Sequence, residues 1–189
     1  MNTASILSAI ALLCYLLLIW VTIRSSQRRG VGHAFVAYLA TMAFWQFAAL
    51  MVSITRSDEI ALGWYRVMTV GLSGNFILFA LFVQTYLGQE KKNTLSYLGW
   101  GTLIFLLATS PTGLIISSVT TSETTGLHVP TFGFLVPVLA LTTYFFLGNA
   151  VYHLVKNYQR TQSTVQRNRI RYLLISAGVG TLGTFSNLI

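Results

Sequence analysis

Residues Asp58 to Gly88 read DEIALGWYRVMTVGLSGNFILFALFVQTYLG, and the reading of this stretch decides the fold. Two acids open it, Trp64-Tyr65-Arg66 follow, and a long run without charge ends at Gly88 and the basic pair Lys91-Lys92. About 20 apolar residues in a helix cross a bilayer, so this run is long enough to span one. Arg66 stands at its mouth, the only charge in the first turns of any apolar run entered from the less basic side. A charge at that boundary is a candidate functional group. The plainer alternative is an arginine that lays its stem along apolar surface and lifts its head to the lipid headgroups, with an aromatic anchor beside it.

The rest of the chain has the same character. Hydrophobic residues make up 54% of the 189 residues and charged ones 8%, with a mean hydropathy of +0.66. A soluble domain carries about 25% charged residues, so this chain cannot cover itself with polar surface in water. It reads as an integral membrane protein whose first partner is the lipid bilayer. The single cysteine, Cys14, lies inside an apolar run, which excludes a disulfide framework and a cysteine metal site. No metal and no cofactor are expected. The formal charge of +8 does not point to nucleic acid, because ten of the twelve Lys and Arg fall in three loops, as topology determinants do.

Working outward, the fold expected is an all-α polytopic bundle with six spans, at about 4–23, 33–55, 62–87, 95–117, 131–155 and 171–189. The loops alternate in charge. Arg24, Arg28 and Arg29 follow the first span; Lys91 and Lys92 follow the third; Lys156, Arg160, Arg167, Arg169 and Arg171 lie in the fifth loop, 156–171. The other two loops set Arg56 and Arg66 against Asp58, Glu59 and Glu123. The excess of basic residues then places these three loops in the cytoplasm and the N-terminus outside. The first apolar run has its charge after it rather than before it, the reverse of a cleaved signal peptide, so it is expected to remain as a helix. Ile189 falls outside, within or just after an apolar helix, and the chain is expected to be a single domain over 1–189 that is incomplete at its C-terminus.

Residues 110–130 differ from the rest. Pro111-Thr112-Gly113 breaks the fourth helix, and two short β-prone runs flank a polar turn, which fits either a small extracellular β-hairpin or an irregular lid. Pro130 and Pro137 are expected to open the fifth helix. The loop KNYQRTQSTVQRNRIR, 156–171, is expected to extend helices five and six beyond the bilayer, with its charge drawn to anionic headgroups.

Helical spacing puts Arg66, Ser73 and Gln84 on one face of the third helix and Asn75 on the other. Trp45 and Trp64 complete the candidate ligand-binding group with Arg66, Ser73 and Asn75. Thr142, Asn149 and His153 line up along the fifth helix, and Ser176, Gly180, Gly183 or Thr184 and Asn187 along the sixth. The sixth-helix set is a stripe of small residues for close helix packing. Gln84, Thr142, Asn149, His153 and Asn187 are candidate polar contacts inside the bundle, where the alternative is the lining of a pocket. No catalytic residue is expected. Gly71-Leu72-Ser73-Gly74 could suggest an intramembrane serine protease, but His33 and His153 lie at the other membrane face and His128 in the outer loop, so Ser73 lacks a base. Lys91, Lys92 and Lys156 all lie in or beside loops, so no lysine can hold a retinal Schiff base at membrane depth.

Several residues taken together resemble a known family. Ala43-Phe-Trp-Gln-Phe47, the outer-loop acids, Trp64-Tyr-Arg66 with Gly71, Phe79-x-x-Phe82 before Thr85-Tyr-Leu-Gly88, and Gln166-Arg-Asn-Arg-Ile-Arg-Tyr-Leu-Leu174 are similar to the N-terminal seven-helix sensor region of bacterial histidine kinases, found also in some diguanylate cyclases. The chain departs from it at Ser73-Gly74-Asn75, where the family commonly has a proline. The resemblance implies a receptor in the plasma membrane that passes a small-molecule or lipid signal to a cytoplasmic output domain and its response partner, and that acts as a homodimer. Two other classes remain open: a small transporter or channel, which would show flux, and a structural membrane protein, which would tolerate replacement of Arg66, Gln84 and Asn149.

Overall fold

A computed structural model describes residues 3–25, 29–89, 93–122 and 127–186, with the side chains of all of these except 3–4, 29, 93 and 179–186. The chain forms α1 Thr3–Ser25, α2 Arg29–Ile54, α3 Asp58–Tyr86 and α4 Asn93–Thr109, then a 3-10 turn, Ser110–Thr112. Strands β1 Ile116–Thr121 and β2 His128–Phe132 follow, and the helices resume with α5 Val136–Arg160 and α6 Thr164–Ser186. Four of the six helices, α1, α2, α3 and α5, are long and apolar enough to cross a membrane. α4 has 17 residues, roughly 25 Å at about 1.5 Å per residue, short of the ~30 Å hydrocarbon core. α6 carries Arg167, Arg169 and Arg171 in its first turns.

The ends of two elements differ from the sequence expectation, and backbone chemistry explains both. Helix four was expected to reach residue 117 but stops at Thr109. Pro111 has no N–H to continue the helix, and the apolar residues beyond it enter the hairpin instead. Helix five was expected from residue 131 but begins at Val136, with Pro137 in its first turn. Thr131 and Phe132 belong to β2, and Pro130 pairs with Val119 in the hairpin rather than opening the helix. The expectation that helices five and six run on into their loop holds, since only residues 161–163 separate α5 from α6.

α3 is the central element. Ser73, Asn75, Ile77, Phe79, Phe82, Val83 and Gln84 are all buried, so burial runs around the helix rather than along one face. The separation of Asn75 from Ser73 across the helix therefore distinguishes no exposed side. α2 packs on one flank, where Gly71 lets the Trp45 backbone approach: a Cβ on Gly71 would sit 3.3 Å from the Trp45 Cα. On another flank, Ile77, Phe146, Leu154 and Ile170 join α3, α5 and α6 in one apolar cluster. Phe35, Tyr38 and Phe82 fill the α2–α3 seam, with Phe35 and Phe82 ring centroids 5.1 Å apart.

The antiparallel hairpin β1–β2 lies over the end of the bundle where α3 begins. Its register shifts between Ile116 and Ser118. This bulge explains why β1 buries Ile116 and Val119, three residues apart, instead of alternating. Both pack with Ala61 of α3, Leu106 of α4 and Ile115 in a second apolar cluster. The Gly133 and Leu135 amides donate to the Ile115 and Leu114 carbonyls and hold the exit of β2 against the entry to β1.

Candidate functional site

The polar chemistry of the described residues concentrates where the hairpin meets the corner between α2 and α3. Tyr65 donates its hydroxyl to the His128 carbonyl at 2.7 Å. One residue further on, Arg66 directs Nε and Nη2 to the Ile116 carbonyl, each at 3.3 Å, beside the bulge. The Arg66 carbonyl in turn accepts from Ser110 Oγ at 3.2 Å. Arg66 thus straps β1 and the 3-10 turn to α3. Its two long bonds to one neutral oxygen leave other N–H groups of the guanidinium available.

The His128 ring sits at the centre of a second knot. Nδ1 lies 2.9 Å from Asp58 Oδ1, and Nε2 lies 2.9 Å from the Thr55 carbonyl oxygen. Thr121 Oγ1 donates to the same Asp58 oxygen at 2.6 Å and lies 3.1 Å from Nδ1. The His128 side chain is 8% exposed while that of Asp58 is 47% exposed, so the carboxylate faces outward and the imidazole is enclosed. Among the described residues this is the one contact of a basic side chain with a carboxylate, an ion pair when the ring is protonated. Thr55 follows the last residue of α2 and Asp58 is the first of α3, so a helix C-terminus and an N-terminal acid converge on the ring.

The candidates named from the sequence do not share a cavity. Trp64 is half-buried and meets Phe47 of α2 edge-on, with centroids 5.6 Å apart. Trp45 packs on Gly71, and its buried Nε1 has no hydrogen-bond partner among the described residues. Ser73 is buried and spends its hydroxyl on the Thr69 carbonyl of its own helix. Asn75 is 5% exposed and its Oδ1 has no hydrogen-bond partner among the described residues. Gln84 is buried. Thr142 bonds back to Val138 of its own helix. The buried Asn149 Oδ1 has no hydrogen-bond partner among the described residues. His153 is half-buried, with its ring edge-on to Tyr152. Asn187 lies outside the described residues, as do Lys91, Lys92, Arg28 and Glu123. Asp58, Tyr65, Thr121 and His128 were not picked out as a site. The only signals for them were acids at a helix start and a histidine beside a proline, and neither reveals a contact across 70 residues of sequence.

Two cavities lie away from this knot. One of about 420 Å³ opens between α1, α2, α3 and α6 at the basic end, lined by Phe35, Phe82, Tyr86, Arg169 and Tyr172 among others. The other, about 300 Å³, lies between α4 and α5 beneath the hairpin, and Thr142 is the one candidate residue on its wall. At the basic end Arg24 lies 4.3 Å over the Trp20 ring and Arg167 4.7 Å over Tyr158. Cations and aromatics thus share the surface where helices of a membrane protein meet headgroups.

The described residues form a helical bundle with four membrane-competent helices, a hairpin strapped over one end and cations gathered at the other. The chain belongs to the family described as the N-terminal 7TM region of histidine kinase, whose sequence model matches residues 6–189. No curated protein matches the chain in sequence.

Proposed function

We propose that this domain is the membrane-embedded sensory region of a signalling protein of the histidine kinase type, and that it passes a stimulus from the hairpin end to a cytoplasmic output domain. All six helices are proposed as spans, with the N-terminus and the hairpin outside and the basic helix ends inside. The observation that carries this reading is the place of α3. Its first turns hold the hairpin through Tyr65 and Arg66, and its last turns pack with α5 and α6 at the basic end. A change in hairpin docking would therefore shift one helix that touches the output side.

In this reading Trp45, Trp64, Arg66, Ser73 and Asn75 lie along the route, and the spare N–H groups of Arg66 meet the stimulus or report on the hairpin. Two packings of the bundle differ in free energy, and the stimulus favours one. The receptor acts as a homodimer and speaks to a cytoplasmic response partner through its output domain. The test is the dose response of the full-length receptor in membranes. Arg66→Ala should shift it while the bundle keeps its unfolding temperature, and Arg66→Lys, which keeps charge but loses the fork, should fall between. An unchanged dose response in both removes Arg66 from the route.

A further inference from the structure

We infer that His128 is a proton-binding site that docks the hairpin on the α2–α3 corner when its ring carries two protons and releases it when one is lost. The argument is a count of protons. The Thr55 carbonyl is an acceptor only, so Nε2 must donate to it. An ionised Asp58 is also an acceptor only, so Nδ1 must donate as well. Thr121 has one hydroxyl proton, and its 2.6 Å contact commits that proton to Asp58, leaving none for Nδ1. Either neutral tautomer sets a ring lone pair against an oxygen lone pair at 2.9 Å. Only the imidazolium satisfies every contact, and the C-terminal end of α2 and the Asp58 carboxylate both favour a cation there.

The other groups around the ring do not supply the missing proton. Tyr65 touches the His128 backbone, not its ring. Arg56 and Glu59 flank the corner, both exposed, and Arg66 reaches the far end of β1. Glu123 lies outside the described residues. Imidazole is the side chain that changes charge between about pH 5 and 8, so acid closes the hairpin and alkali frees it. This deepens the sensory reading by naming the proton as an input, though the site stands on its own geometry.

The experiment uses the whole protein in lipid nanodiscs with Cys14→Ser, a spin label on Thr120→Cys in β1 and a second, separate label on Gln162→Cys between α5 and α6. Nitrogen NMR of the three histidines runs alongside. At pH 5.5 the His128 ring should show two protonated nitrogens and the Thr120 label should be immobile. By pH 8.5 the label should become mobile, with the same midpoint as the ring. Asp58→Asn offers an amide that can turn N–H or oxygen to Nδ1, so in that variant the label should stay immobile throughout. His128→Gln should abolish the transition. A Thr120 label whose mobility ignores pH overturns the inference, as does an Asp58→Asn protein that titrates like the parent. A transition at Thr120 that never reaches Gln162 or the signalling response would leave the proton site standing and sink the sensory reading instead.

Discussion

At the scale of single residues, burial and satisfaction of polar atoms pull apart. Asn75 is enclosed on α3 with an Oδ1 that has no partner among the described residues, and an unsatisfied buried acceptor costs about 1–3 kcal/mol. Replacing it by Leu, which keeps the side chain's heavy-atom count and branching, should raise stability by about 1 kcal/mol, read as a higher unfolding temperature in nanodiscs. If Asn75 belongs to the signalling route, the more stable protein will respond less, because function tends to sit on such costly groups. A stabilised protein with an unchanged response would make Asn75 a packing compromise. Spacing along α3 showed which residues share an angle, yet it gave no hint that both sides of the helix would be covered. A periodic polar face implies an exposed or pocket-lining side only when one flank is open, and α3 has α2 on one flank and α5 on another.

Individual elements show the same limit more sharply on α5. Phe145 and Phe146 are chemically identical neighbours, but Phe145 is 51% exposed and Phe146 fully buried. Phe146 lies near the Gly99 position of α4 and packs in the cluster with Ile77, and truncation to Ala should leave a cavity costing about 3 kcal/mol. Phe145→Ala should cost about 0.5 kcal/mol or less. A pair of thermal melts separates them, and equal losses would mean the α3–α5 seam is misplaced. In a membrane the outer face is as apolar as the core, so hydrophobicity along α5 could not say which ring turns inward. The hairpin is the opposite case. Pro111, the polar turn and the β-prone runs marked it in the sequence, but its true boundaries depend on the bulge and on the close approach at Gly133. A Cβ there would collide with the Leu114 carbonyl. Gly133→Ala should therefore loosen the hairpin at a cost of about 2 kcal/mol, with faster amide exchange at Ile116–Thr121 and helix content unchanged. Exchange left as slow as in the parent would show that the two loops can part without cost.

For the whole molecule, the charge pattern and the fold make one joint statement about sidedness. The C-terminal end of α1 with Arg24, and the α5–α6 junction with Arg160 and Arg167, gather at one end, while the hairpin, Asp58 and Glu59 gather at the other. The cavity bounded by Thr22, Val31, Tyr86 and Arg169 fixes this grouping, since those residues come from four different helix ends. Transfer of one basic residue through the bilayer centre costs about 2.5–3.5 kcal/mol on insertion scales, so inverting the domain would have to carry a whole cluster across. The expected outcome is that, with Cys14 replaced by Ser, a cysteine at exposed Thr120 reacts with a membrane-impermeant maleimide in intact cells. One at exposed Gln162 should react only after the membrane is opened. Labelling of Gln162 from outside would reverse the orientation, turn the hairpin and His128 to the cytoplasm, and make the proton that His128 binds an internal signal.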